Sequence, residues 1–522
     1  MRGKVILTTI VILTGIGSTF AVSNAFTDRY ILPKWHLLFT GVILLLLLIG
    51  ATWLHNRRNK MKRWVNIPFV SRCLVAICIF QALLGIVQYI GIFRIHADFK
   101  VVGTFDNPAG FISCICAALP LGILFFNSRK RWHWVGLLVV IIAIVLSESR
   151  TGVIALSVIG WVVCCCNKKV HQKWKVSAAI LVVLMFVGIV GFYKTDSANG
   201  RMLIWECSWN MIKEKPLLGH GIHAFKAHYM DYQAAYFQEH PTSQYAMLAG
   251  NVNHPFNEFM GVWIQFGIIG LIGLAVILFL LWKCYRRNPT NQGKCAWLSL
   301  LAIGVCGMFS YPLAYPFVWL IVLWDCFILL SNARLSSKTP RFFFNMAGCT
   351  LIVLGVVLAY KLAINIQTEY QWKKNMASMQ SDEKKLVEYE KLMTELENNP
   401  YFLYNYAVEL YYADLHNESL EIAKKCRMYW ADYDLEMLVG ENYKKISEYN
   451  DALMHFEKAS LMVPVKFMPL YRMFQIYKEQ KESHKLEEMA NRIVNKPIKI
   501  NSPWIEQIKR EAERTLTQTG EL

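Results

Sequence analysis

The chain has 522 residues, of which 55% are hydrophobic and 18% charged, and its formal net charge is +18. It is too apolar for an ordinary soluble protein and too long for one domain. The charge is split: residues 1–364 hold 33 Lys and Arg against 11 Asp and Glu, and residues 365–522 hold 22 against 26. The basic excess therefore sits in short loops between apolar runs rather than on one face, which argues against a nucleic-acid partner.

A bilayer span needs about 20 predominantly apolar residues. On that criterion about eleven spans are expected, near 5–25, 36–54, 69–93, 109–127, 132–147, 152–167, 176–193, 256–282, 296–310, 312–331 and 343–364. The first is read as a span rather than a cleaved leader, because no small-x-small site precedes Asn24 and further spans follow at once. The pair around Pro312 is the most broken. Most of the 14 cysteines fall inside apolar runs, where a thiol is a small hydrophobe; Cys207 and Cys426 lie in more polar surroundings.

Lys and Arg in alternate loops set the orientation. One set of loops carries 21 of them: Arg2 and Lys4, five over 57–63, three over 129–131, four over 168–175, four over 283–294 and three over 334–341. The opposite short loops carry only Arg29, Lys34, Arg94, Lys100 and Arg150. The rich set is cytoplasmic on this rule. The Ser147–Gly152 turn, the long polar loop over 195–255 and everything after residue 364 then face outward.

That polar loop is the centre of the chain. It is rich in Gly, Pro, His, Lys and Arg, and Ile204, Met211 and Ile212 recur at helical spacing with Trp205 and Trp209, as in a helix lying on a bilayer surface. Arg201 is either a lipid-headgroup contact or a bidentate phosphate ligand. Arg150, after Ser-Glu-Ser, is either a helix-end arginine reaching the interface or an anion ligand. His254, with Asn257 and Glu258 a turn later, is either a cap or a neutral imidazole that accepts a proton. His220, His223, His228 and His240 match no compact metal-site spacing, so neither a metal nor another cofactor is expected. Asp106 or Asn107 is the expected N-cap of the next helix. Asp325 is a charge inside a span.

Beyond residue 364 the pattern changes to charged, Tyr-rich amphipathic helices. Gly440, Tyr443, Ala452, Phe456, Ala459 and Pro464 fall at consensus positions of a tetratricopeptide repeat. Small residues there let two helices approach, aromatics fill the wedge, and Pro ends the second helix. A preceding copy fits Ala407, Leu410, Ser419, Ala423 and Cys426; a following one fits Phe474, Tyr477, Leu486 and Ala490. The fold class expected is all-α: a polytopic membrane bundle over 1–364 with the 195–255 loop, then a soluble helical-repeat solenoid over 365–522.

Five short motifs occur in order: Thr104-Phe105-x-Asn107-Pro108, Ser149-Arg150-Thr151-Gly152, Gly200-Arg201-x-x-x-Trp205, Pro216-Leu217-x-Gly219-x-Gly221, and His254-x-x-Asn257-Glu258-Phe259 followed by Gly267-Ile268-Ile269-Gly270. The succession resembles the O-antigen ligase and polymerase superfamily of bacterial envelope glycosyltransferases, over roughly 60–330. The resemblance implies transfer of a glycan from a polyprenyl pyrophosphate carrier to an acceptor hydroxyl at the periplasmic face of the inner membrane, without a metal. It implies that Arg150 and Arg201 hold the pyrophosphate, that His254 and Arg201 are catalytic, and that Asn257, Glu258 and Trp205 support them. Where many relatives show a second histidine, this chain has Phe256. The acceptor implied is lipid A core or another glycan, with protein Ser, Thr or Tyr as the alternative. The repeats would contact a protein or large glycan. A transporter or a non-catalytic scaffold is the reading from another class; few ionisable groups inside the spans weigh against transport.

Overall fold

A computed structural model describes residues 2–55, 65–93, 99–123, 132–166, 170–192, 195–331, 341–379 and 381–519. Among the described residues the regular secondary structure is entirely helical. The basic clusters over 57–63, 129–131 and 168–169, with Arg94, Arg334 and Lys338, lie outside the described residues. The protein is a polytopic, all-helical membrane protein, and it divides into two units: Met1–Tyr193, Phe256–Phe259 and Ile272–Lys374 form the first, and Lys194–Pro255, Met260–Leu271 and Asn375–Leu522 the second.

The first unit contains α1 (Arg2–Phe20), α2 (Leu32–Leu54), α3 (Ile67–Ile90), α4 (Pro108–Gly122), α5 (Trp132–Leu146), α6 (Arg150–Cys166) and α7 (Gln172–Phe192). Four helices follow in the chain: α8 (Thr195–Glu214) and α9 (Ala224–Glu239) of the second unit, α10 (Glu258–Arg287), whose middle belongs to the second unit, and α11 (Asn291–Gly307). The first unit is completed by α12 (Pro316–Ser331) and α13 (Arg341–Met376). Four of these helices, α2, α3, α10 and the stretch Asn345–Met376 of α13, are long and apolar enough to cross a membrane. Shorter apolar helices, Val5–Phe20, Pro108–Gly122, Trp134–Leu146, Arg150–Cys166 and Pro316–Ser331, follow further expected spans. The break expected at Pro312 is a short 3₁₀ turn, Pro312–Ala314, because proline cannot continue a helix. Helix α13 runs without interruption through residue 364.

The core of the first unit is α4. Every residue from Gly110 to Gly122 is buried, with α3, α6, α11 and α12 packed around it. Ser299 on α11 donates to the Ala117 carbonyl at 2.6 Å, and Trp324 on α12 donates to Ser71 Oγ on α3 at 3.1 Å. Asn107, one of the two expected caps, accepts from Ala109 N and Gly110 N. Asp325 is fully buried on α12.

The non-helical stretch before α4 is pinned by side chains from two helices and a backbone carbonyl of a third. Gln88 donates to the Gly103 carbonyl at 2.7 Å and accepts from Val102 N and Gly103 N. Gln81 donates to Thr104 Oγ1 at 2.5 Å, and Thr104 Oγ1 donates to the Thr19 carbonyl. Lys34, counted above among loop charges, is instead fully buried on α2. Its ammonium donates to the carbonyls of Ala21 at 2.9 Å, Tyr30 at 2.6 Å and Thr104 at 2.8 Å. A lysine has three N–H donors, and all three are used.

The second unit contains α8, α9, the Met260–Leu271 part of α10, and the C-terminal helices. These are α14 (Asp382–Leu396), α15 (Pro400–Tyr412), α16 (His416–Arg427), α17 (Tyr433–Lys445), α18 (Tyr449–Met462), α19 (Met468–Glu479), α20 (Ser483–Asn495) and α21 (Pro503–Thr519), each packed on the next. Between α17 and α18 the close approach is at Gly440, where a Cβ would meet the Phe456 ring at 2.6 Å. Between α15 and α16, Ser419 Oγ donates to the Ala407 carbonyl at 2.7 Å. The segment expected as a polar loop is largely helical. The apolar stripe of α8, with Leu203, Ile204, Met211 and Ile212, is buried in protein rather than laid on a bilayer. Cys207 and Cys426 are free buried thiols, and burial pushes each up to about 12.

Lys34→Met keeps the length of the side chain but strands three carbonyls. It should lower stability by on the order of 3 kcal/mol, seen as a large fall in Tm of the purified protein in detergent. An unchanged Tm would show that the three bonds do not hold Ala21, Tyr30 and Thr104 together.

Candidate functional site

The segment between α9 and α10 carries His254 and has no helix of its own. Its backbone groups therefore need partners from elsewhere. At its end, Trp205 on α8 donates its indole N–H to the Pro255 carbonyl at 3.1 Å. Arg201 lies one turn before Trp205, and residues four apart share a helix face. The second unit thus brings the Gly200–Trp205 and His254 motifs together at a named bond. Arg201 and His254 are both half-buried.

The His254 imidazole is pushed down to about 4, first by burial and then by the nearby Lys226 ammonium. It is therefore neutral near pH 7. A resting pKa so low makes a weak base, but an anion arriving beside it would favour the imidazolium and raise its basicity.

Residues after His254 in the first unit hold the loop's exit. Phe256 takes a left-handed backbone, φ 52°, and sets its ring edge-on against Tyr311 with centroids 5.2 Å apart. Tyr311 and Tyr315 both reach the cap residue: Asn107 Nδ2 donates to Tyr311 Oη at 3.2 Å, and Tyr315 Oη donates to Asn107 Oδ1 at 2.9 Å. Asn257 Oδ1 accepts from Phe259 N at the start of α10. Glu258 Oε1 accepts from Leu313 N at 2.8 Å, bracing the 3₁₀ turn. Asn257 and Glu258 thus make backbone-bracing bonds. Arg150 opens α6 in the first unit and is half-buried.

The motif Pro216-Leu217-x-Gly219-x-Gly221 meets Gly267-Ile268 directly. Helix α10 is broken at Gly267, where φ is 66° and ψ −167°, so the span expected over 256–282 is not a single regular helix. The turn supplies the break's backbone partners: His220 N donates to Ile264 O at 2.7 Å, Gly221 N to Gln265 O at 3.0 Å, and Ile268 N to Pro216 O at 2.9 Å. A Cβ on Gly267 would sit 2.0 Å from the Leu217 oxygen, and one on Gly219 2.5 Å from the Gln265 carbonyl carbon. Only glycine fits either place. Of the four loop histidines, His220 spends its Nε2 on the Met211 carbonyl at 2.8 Å.

Two residues that no motif marks shape this region. Lys226 lies over the Tyr401 ring at 3.5 Å and the Trp430 ring at 5.5 Å, and burial pushes it down to about 8. Gln233 is fully buried among hydrogen-bond partners. A Lys and a Gln on a charged amphipathic helix carry no sequence signal of such roles.

A family model described as O-antigen ligase matches residues 106–275, about a third of the chain. No curated protein matches it. The matched stretch contains the motifs from Asn107 to Gly270, and it supports glycan transfer of the O-antigen ligase kind.

Two outcomes follow. Gly267→Ala should abolish folded protein or leave it inactive, whereas Gly273→Ala, in open space on the same helix, should be tolerated. Equal behaviour of the two variants would show that the turn does not need the break. The folded protein holds His254 neutral, whereas the unfolded chain takes up a proton near 6.5. The stability this contributes is complete above about 6.5 and is lost as pH falls towards about 4. Thermal unfolding of wild type and His254→Gln over pH 4 to 7 should therefore converge at low pH; parallel curves would place the acid loss elsewhere.

Proposed function

We propose that the chain transfers a glycan from a polyprenyl pyrophosphate carrier to an acceptor hydroxyl at the outer face of a bacterial cytoplasmic membrane. The carrying observation is the anchoring of the His254 segment to α8 by Trp205, one turn from Arg201, within the stretch that matches the O-antigen ligase model. In this reading Arg201 and Arg150 are pyrophosphate ligands. A guanidinium presents a planar fork of donors to phosphate oxygens and keeps its charge at all working pH. As the bond from sugar to pyrophosphate breaks, negative charge grows on the leaving oxygens, and fixed cations stabilise it where it appears.

His254 takes the proton of the acceptor hydroxyl, or aligns that hydroxyl, as the new glycosidic bond forms. Trp205, Asn257 and Glu258 support these groups through backbone bonds. Metal-independent transfer, an outward-facing 195–255 segment, and tetratricopeptide-like pairs in the C-terminal helices belong to the same proposal. The acceptor ranks as lipid A core or a second glycan first, and protein hydroxyls second.

The test is a deletion strain rescued with wild type, Arg201→Ala, Arg150→Ala or His254→Ala at matched protein levels. Each variant should cut mature envelope glycan by a hundredfold or more, in line with the loss of one charge-stabilising donor, and carrier-linked precursor should accumulate. The molecule that lost its sugar identifies the acceptor. Full rescue by Arg201→Ala and His254→Ala would leave transport or scaffolding as the function.

A further inference from the structure

The non-helical segment that ends at His254 is held from two sides. Trp205 grips Pro255 at one end. At the other end stands Gln233, on α9 and fully buried. Its amide donates one hydrogen to the Gly250 carbonyl at 3.1 Å and the other to the Met462 carbonyl at 2.6 Å. Its oxygen accepts from Tyr229 Oη at 2.8 Å. One side chain therefore joins the loop helix, the end of α18 among the C-terminal helices, and the backbone four residues before His254. The Met462 carbonyl lies in the last turn of α18, where it has no partner within the helix.

A second bond beside it has the same sense. Tyr433 N, at the start of α17, donates to Asn251 Oδ1 at 3.3 Å. Around these two bonds α9 is docked on the C-terminal helices by independent contacts. Asp231 pairs with Arg427 at 3.6 Å and with Lys458. Glu436, almost fully buried, accepts from His455 at 2.6 Å and pairs with Arg427 at 2.7 Å. The Lys226 carbonyl accepts from Ala431 N at 3.1 Å. Those contacts secure the docking of α9; Gln233 and Tyr433 N reach past α9 to the His254 segment itself.

We propose that Gln233 is a positioning residue for glycan transfer, through which the C-terminal helices hold the Gly250–His254 segment in its working place. The inference rests on the transfer reading above. It makes the C-terminal helices part of the reaction apparatus and not only a surface for partners. A donor pair shared between the buried Met462 carbonyl and the half-buried Gly250 carbonyl ties the two together, since losing it costs both bonds at once.

The test uses the full-length protein and three variants. Gln233→Met keeps the length and volume of the side chain and removes its donors. Asp231→Asn breaks ionic contacts of the same helix without touching the 250–254 segment. His254→Ala reports whether His254 matters at all. Two readouts are taken: mature glycan per molecule of protein in the rescued deletion strain, and the imidazole titration of His254 by NMR of histidine-labelled protein in detergent, with and without inorganic pyrophosphate. Gln233→Met should lose transfer roughly tenfold per molecule and move the His254 midpoint towards its ordinary value, because the loosened segment admits water. Asp231→Asn should change neither. Wild-type transfer and titration in Gln233→Met, while His254→Ala is dead, would overturn the positioning role and leave the transfer reading intact. An equal loss in Asp231→Asn with His254 unmoved in both would make Gln233 a general docking contact and also overturn it. Transfer retained by His254→Ala would remove the transfer role of His254 and the proposal with it.

Discussion

Buried backbone that is not helical must find hydrogen-bond partners, and most of this structure's special features answer that demand. Three stretches raise it. Residues 101–107 are served by Gln81, Gln88 and one of the three donors of Lys34. The break in α10 is served by the 216–221 turn. The His254 segment's backbone is served by Trp205 and Gln233, and its Asn251 side chain accepts from Tyr433 N. In each case an irregular stretch carrying motif residues is fixed by groups distant in the chain. Irregular backbone can place a side chain where a helix cannot, provided the surroundings hold it still.

The electrostatics of the His254 region suit a reaction whose leaving group is an anion. Burial and Lys226 keep the imidazole neutral in the resting state. Lys226 is itself partly discharged by burial, pressed against Tyr401 and Trp430. A phosphate-bearing donor brings the negative charge that both groups lack, so its arrival would strengthen the base and the cation together. Arginine is the side chain whose charge survives such burial unaltered, so in the proposed transfer Arg150 and Arg201 suit permanent anion contacts better than Lys226 does.

The second unit has a consequence for how the chain is divided. A polar loop between spans and a C-terminal appendage would be independent bodies if only their order were considered. Instead α9 is fastened to α16 and α18 by Asp231, Arg427, Lys458 and the buried Gln233. A buried, fully bonded polar group such as Gln233 specifies one register of docking more sharply than an apolar face would. A helix so fastened can transmit the placement of the C-terminal helices to the segment that follows it.

Much of the architecture was legible in the residues alone. Apolar length reports burial or lipid directly, so the helices came close to the spans read from hydropathy, and of the two caps left open, Asp106 and Asn107, it is Asn107 that caps α4. The small-residue spacing around Gly440 anticipated the approach of Phe456, because a missing Cβ leaves room only for a neighbour. The five motifs were visible as an order of residue types, and glycine at 219 and 267 announced unusual backbone at both places. Their meeting was not visible, since neither half of the 216–221 and Gly267 pairing encodes its partner. Nor was the burial of Lys34, which reads as a loop charge until three carbonyls from separate segments surround it. Gln233 and Lys226 carry no local pattern at all. Sequence determines what each residue is able to bond and which stretches must leave water; only the folded chain decides which distant groups arrive to satisfy them.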